Sequence, residues 1–248
     1  MIKLERGERP KELTEETCEE LKRLYAEDND KAVWNSSKIK EPLKKALLEM
    51  SHGKCVYCEC KLEIESKDAT IDHFLPKSKK PDDVVKWENL FPSCLRCNRK
   101  KNNCEEKIIN PCEDEPRKYL GITNVNRYRF KAIDTAGIGK ATIEVVGLND
   151  IERVMTPKMQ EWEILKDYLI DIEMDLKEEG FKRKYKNRFK KVMERCLPEE
   201  SYAATKATNI LNDVTYNEIK SIIVNQNEWT DDLEKLEKNI KHIALELV

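Results

Sequence analysis

The chain has 248 residues, 38% charged and 39% hydrophobic, with a formal net charge of −2. Its length suits one large domain or two small ones. No apolar run approaches the roughly 20 residues of a bilayer-spanning helix, and Met1–Arg6 has none of the apolar stretch of a signal peptide. A soluble, cytoplasmic protein without membrane association is therefore expected. Near-zero charge excludes a uniformly basic coat, so any nucleic-acid surface must be local, or be completed by a partner or by bound metal ions.

Residues 12–50 read as mainly helical. Thr14 is the expected N-cap, Glu15 and Glu16 place negative charge in the first turn, and Leu21, Leu24 and Tyr25 form an apolar stripe. A second helix is expected from about Lys40, with Pro42 in its first turn, stopping at His52-Gly53. Residues 53–112 are irregular and cysteine-rich. A zinc turn, a short strand pair around Thr70–Phe74, a loop through Pro81 and a short helix from about Cys94 to Lys101 are expected there. Gly137-Ile138-Gly139 reads as a turn, too short and isolated for a phosphate loop. Ala141–Val146 alternates as a strand, expected to pair with Tyr128–Ala132 as a hairpin. Residues 156–248 read as mainly helical. Trp162, Leu165, Leu169, Ile172 and Leu176 recur at helical spacing, and Lys182–Arg195 and Leu233–Val248 are two further expected helices.

Seven of the nine cysteines fall between residues 55 and 112. Disulfides are disfavoured in a cytosolic chain, so the clustering suggests metal ligation. Cys55-Val56-Tyr57-Cys58 and Cys94-Leu95-Arg96-Cys97 are two Cys-x-x-Cys pairs that can present four thiolates to one zinc ion. Four thiolates leave no open position, which makes that zinc structural. Free buried cysteines are the bland alternative, and no thioredoxin-like strand-helix pattern supports a redox pair. Cys60 could stand in for Cys58. Cys104 and Cys112, with Cys18 and Cys196, read as small buried hydrophobes.

Between and after these pairs lie Thr70-Ile71-Asp72-His73-Phe74-Leu75-Pro76, Trp87-Glu88-Asn89-Leu90, and Asn98 directly after the second pair. Over residues 55–101 the order and spacing of these motifs resemble the HNH endonuclease family. The third family position, often His, is Asn98 here. The resemblance implies an α+β fold: a zinc-stapled ββα-metal (HNH) core flanked by N-terminal and C-terminal helices. It implies that His73 activates water, that Asp72 and Asn98 hold a catalytic Mg²⁺ or Mn²⁺ through oxygen, and that Asn89 constrains the loop bearing His73. The residue types suit the chemistry, because imidazole is available as a base near neutral pH and hard cations prefer oxygen donors. A regular strand would send Asp72 and His73 to opposite faces, so the strand must bend or end there. Taken singly, an Asp-His pair is usually a surface feature, Asn89 a turn residue and Asn98 a helix cap. His52 and His242 lack partner motifs.

Lys77, Arg96, Arg99, Lys100 and Lys101, with Lys79 and Lys80 nearby, are the candidate phosphate contacts. Lys182–Lys191 is the most basic stretch, although a solvated charged face is the commoner meaning of such a run. More loosely, Met1–Arg6, Pro111–Asp114 and Thr142–Asn149 resemble the HNH subunits (PtuB-type) of Septu and retron-associated anti-phage systems. That wider resemblance implies a DNA-cutting effector held by an ATPase subunit, and leaves room for a homo-oligomer. A stand-alone restriction-type endonuclease and an inactive zinc-containing nucleic-acid-binding protein are the competing readings. The expected layout is an N-terminal helical region (1–52), the nuclease core (53–112), a hairpin or linker region (113–155) and a C-terminal helical region (156–248).

Overall fold

The computed structural model describes residues 1–28, 38–63 and 69–248. Thr14 caps helix α1 (Glu15–Glu27), its hydroxyl accepting from the Thr17 amide at 3.1 Å. Cys18, Leu21 and Tyr25 face inward. Helix α2 (Lys40–Met50) buries Leu43, Leu47 and Met50 and ends where His52 and Gly53 take positive φ. The helical expectation for residues 29–37 lies outside the described residues.

Strands β1 (Ala69–His73) and β2 (Leu90–Cys94) pair antiparallel, with Ala69 opposite Cys94 and His73 opposite Leu90. Helix α3 (Leu95–Lys101) follows β2 at once, because Cys94 is also its N-cap. This ββα unit sits between the N-terminal helices and a larger helical body. Arg6 ties the N-terminal segment to it: its guanidinium donates to the carbonyls of Leu90 at 2.8 Å and Glu88 at 3.0 Å, and lies 4.2 Å from the centre of the Phe91 ring.

The hairpin expected from Tyr128–Val146 does not form. Strand β4 (Phe130–Ala132) pairs with β3 (Leu120–Ile122), and residues Ile138–Val146 are helix α4. The β-branched residues misled the period. Ile138, Thr142 and Val146 are spaced four apart, which stacks them on one helical face. The buried Thr142 hydroxyl donates to Ile138 and accepts from the Ile109 amide. The Asp134 carboxylate receives the amides of Ile138 and Gly139, both at 2.9 Å, and Gly147 closes the far end at φ +67°. A carboxylate at a helix start and a left-handed glycine after its end are both favourable there.

A π-helical turn (Ile151–Met155) leads into α5 (Thr156–Glu179). It packs with α6 (Arg183–Glu194), α7 (Ala203–Leu211) and α8 (Val214–Asn225), and α9 (Asp231–Ile243) packs on α6 and α7. Trp162, Leu165, Leu169, Ile172 and Leu176 of α5 are all buried, as their spacing predicts. The last expected helix is shorter than Leu233–Val248. After Ile243 the chain extends, and β5 (Glu246–Leu247) pairs parallel with β3. Among the described residues, no helix is long and apolar enough to cross a membrane.

Gly139 allows α4 to approach β3, since a Cβ there would lie 2.3 Å from the Tyr119 carbonyl oxygen. Gly139→Ala should destabilise the protein by about 1–3 kcal/mol, the usual cost of overpacking. A lower urea midpoint with an unchanged m-value is the expected readout.

Candidate active site and metal centre

The cysteine pairs converge because the end of β2 and the first turn of α3 bring Cys94 and Cys97 beside the turn that carries Cys55 and Cys58. That turn is fixed to β2 by the Val56 amide, which donates to the Pro92 carbonyl. The four Sγ atoms lie within 4.8 Å of one another, and Cys58 and Cys94 are 3.9 Å apart. Zn–S bonds of about 2.3 Å in a tetrahedron require sulfurs about 3.8 Å apart. The buried thiol set therefore fits a zinc ion. Cys60 is not one of the four; its carbonyl accepts from the Cys55 amide and closes the turn. No second metal-binding cluster occurs among the described residues. Cys112 packs against the Met50 sulfur instead.

Two cations face this centre. Arg96 donates to Cys97 Sγ at 3.3 Å. Burial works against the Arg96 charge, but the sulfurs of Cys97, Cys58 and Cys94 outweigh it and raise its pKa. Lys158 of α5 is 1% exposed, and its ammonium lies 3.5 Å from the centre of the Phe130 ring. Burial lowers its pKa to about 7 against the opposing pull of Glu59 and the Cys58 sulfur. No motif in the sequence marks this lysine's location.

His73 is the last residue of β1. Its Nε2 lies 2.9 Å from the Val84 carbonyl oxygen. A carbonyl can only accept, so Nε2 carries the hydrogen and Nδ1 is the basic nitrogen. Burial holds the imidazole pKa down, at about 4, despite the raising effect of the Val84 carbonyl. The ring is neutral at pH 7.

Asn89 ends a short 3-10 turn (Trp87–Asn89) before β2. Its Oδ1 accepts from the Leu75 amide at 2.7 Å, and its Nδ2 donates to the carbonyls of Leu75 at 3.1 Å and Asp83 at 3.2 Å. One side chain thereby joins the segment after His73 to the segment that supplies Val84.

Asp72 points the other way, as strand alternation requires. It is 3% exposed. Tyr57 donates to Oδ2 at 2.5 Å and Lys101 to Oδ1 at 3.2 Å. Burial raises the Asp72 pKa, with Lys101 and Tyr57 opposing. Asn98 lies on the same side of the strand, but its amide nitrogen donates to the Thr70 hydroxyl at 3.0 Å. Tyr57, Thr70 and Val84 are the partners that sequence reasoning missed. Tyr57 is the interior of a cysteine pair and Val84 acts through its backbone, so neither carries a motif.

The candidate phosphate contacts separate into two groups. Arg99 and Lys100 are exposed on α3, and Lys77 is half-buried, 5.0 Å from the centre of the Tyr25 ring. Lys101 is a correction: it is 2% exposed and turned inward onto Asp72 and the His73 carbonyl, where no phosphate reaches it. Arg96 faces the sulfurs. The basic stretch on α6 is largely matched by acids: Lys182 and Lys184 pair with Glu179, Lys186 with Glu228, Arg188 with Asp175 and Lys190 with Asp232. Tyr185, Phe189 and Val192 form its buried face.

The HNH endonuclease family profile matches residues 55–104, the zinc turn and the ββα unit together. The chain is 34% identical over 256 residues to Septu protein PtuB of Bacillus thuringiensis, a match covering 99% of this chain and 95% of that protein. The chain belongs to the PtuB family of HNH proteins. A second family member, Septu protein PtuB of Bacillus mycoides (strain KBAB4), is 30% identical over 142 residues, 44% of this chain and 47% of the relative. The PtuB family likeness thus extends beyond the HNH segment into the flanking helices. The fold is a mixed helix and small-sheet architecture around an HNH domain with four clustered cysteines.

The four-sulfur set makes a distinct prediction for each cysteine. Cys97→Ser should lose bound zinc by elemental analysis and melt at lower temperature. Cys60→Ser should keep its zinc.

Proposed function

We propose that the protein is a metal-dependent HNH endonuclease that hydrolyses DNA phosphodiester bonds, working as the effector of an anti-phage defence complex with an ATPase subunit. The observation that carries the reading is His73: a neutral imidazole with its tautomer set by Val84, at the end of the first strand of a zinc-stapled ββα unit. Nδ1 of His73 takes a proton from water as the water oxygen attacks phosphorus and the bond to the leaving 3′ oxygen breaks. Asn89 holds the two loop segments so that the ring and the Val84 carbonyl stay in register.

The catalytic cation would be held by Asp72 and Asn98, on the opposite side of β1 from the His73 imidazole, so the strand end at His73 would have to twist for both groups to serve one phosphate. The donor chemistry fits a hard divalent ion, and Asp72 already carries a cation as a stand-in, the Lys101 ammonium. To ligate a metal, Asp72 would have to release that ammonium. When bound, the metal supplies positive charge at the scissile phosphate and the leaving oxygen. The ATPase partnership is supported by the near full-length likeness to a Septu protein. A net charge of −2 suits a subunit whose binding surface is local or shared.

His73→Ala should lower metal-dependent DNA cleavage by about 10²–10⁴-fold, the usual contribution of a general base, and retain zinc. Plasmid nicking with Mg²⁺ or Mn²⁺, with and without the ATPase, checks this; equal cleavage by both proteins overturns the assignment. Lys101→Met tests the exchange at Asp72. Removing one partner of a buried ion pair costs about 3–5 kcal/mol, so the variant should unfold at lower urea. Added Mn²⁺ should restore more stability to the variant than it adds to wild type.

A further inference from the structure

A second basic surface lies on the far side of α3, mostly beyond the HNH segment. A cleft of about 440 Å³ runs between α3, β4 and α4, and four cations line it: Lys100, Arg129, Lys131 and Lys140. All four are exposed. Among the described residues none of them forms an ion pair, in contrast to the acid-matched cations of α6. Glu144 and Asp150 also line the cleft, so four positive charges face two negative ones. The amide of Arg153 already engages the Asp150 carboxylate, at 2.9 Å.

The cleft is joined to the proposed catalytic face through α3 itself. Asn98 and Lys100 are two residues apart, about 200° around the helix, and the exposed Arg99 lies between them. Lys100 reaches the cleft because Gly147 leaves it room: a Cβ at Gly147 would lie 2.7 Å from Lys100 Cδ. A cationic track therefore leads from Asn98 over Arg99 and Lys100 to Arg129, Lys131 and Lys140.

We propose that this cleft binds the phosphate backbone of duplex DNA beside the cut site, extending the nuclease site into the β4–α4 region. The proposal rests on the nuclease reading and deepens it. Unpaired, solvated cations are the groups that gain most by displacing counterions from DNA, and removing a cation that neutralises a phosphate flattens the salt dependence of binding. The cleft meets the backbone alone, so it positions the duplex without reading its sequence.

The test measures duplex binding by the full chain in a His73→Ala background, with the ATPase subunit present if binding requires it. Lys131→Glu/Lys140→Glu should weaken binding at least tenfold at low salt and reduce the slope of log K against log salt by about 1.8. Lys131→Gln/Lys140→Gln should act in the same direction with a smaller loss. A charge reversal on α6, Lys184→Glu/Lys191→Glu, should stay within twofold of the parent. Melting temperature and zinc content of each variant confirm folding. Parental affinity and slope in both cleft variants overturn the proposal and leave the nuclease reading intact, as does a larger loss from the α6 reversal. If the parent binds no duplex and the His73-intact chain cleaves none, the nuclease reading fails and the cleft assignment falls with it.

Discussion

Convergence of Cys55 and Cys58 with Cys94 and Cys97 is the constraint on which the rest of the architecture depends. The two pairs are separated by 35 residues, and that interval contains β1, the His73 loop and β2. A zinc ion held by the four thiolates would close this interval at its base and carry a net charge of −2. Burying such a charge is unfavourable unless it is matched. Arg96, one residue before Cys97, offsets part of it, and Lys158, from the distant α5, adds to this when protonated, its pKa being held at about 7 by burial. The C-terminal helical body is therefore electrostatically linked to the metal centre as well as bonded to its first turn, where the Tyr202 amide donates to the Glu59 carbonyl.

Much of this arrangement was legible in the sequence. The cysteine spacing predicts the four-sulfur set, and the Thr14 cap and the α5 periodicity predict helices that form where expected. The legible features are local: a cap, a ligand pair or a helical stripe is visible within a few residues. What the sequence concealed depends on partners far along the chain. Ala141–Val146 reads as a strand because its side chains are β-branched, but its Asp134 cap and Gly147 end make it a helix. Lys101 and Arg96 look like phosphate contacts in a basic run. Only the fold shows one turned onto Asp72 and the other onto sulfur. The Val84 carbonyl has no side-chain signature at all.

Charge distribution would reconcile a nearly neutral chain with the proposed polyanionic substrate. The longest basic run lies on α6, yet five of its seven cations pair with Glu179, Glu228, Asp175 and Asp232. Among the described residues, unpaired, exposed charge also gathers around α3, at Arg99, Lys100, Arg129, Lys131 and Lys140, which only the fold brings together. Net charge and charge runs record composition, whereas a binding surface depends on which charges the fold leaves uncompensated.

The β1–β2 register has an evolutionary consequence. His73 opposite Leu90 and Ala69 opposite Cys94 place imidazole on one face of a five-residue strand and the Asp72 carboxylate on the other. Inserting or deleting a single residue inside that strand would exchange the two faces, burying the imidazole under Tyr57 and Lys101. The exposed stretch Ser78–Lys80 carries no such parity, since Asn89 fixes the loop through Leu75 and Asp83 on either side of it. Length variation within the family should therefore accumulate in that tip and be purged from the strand.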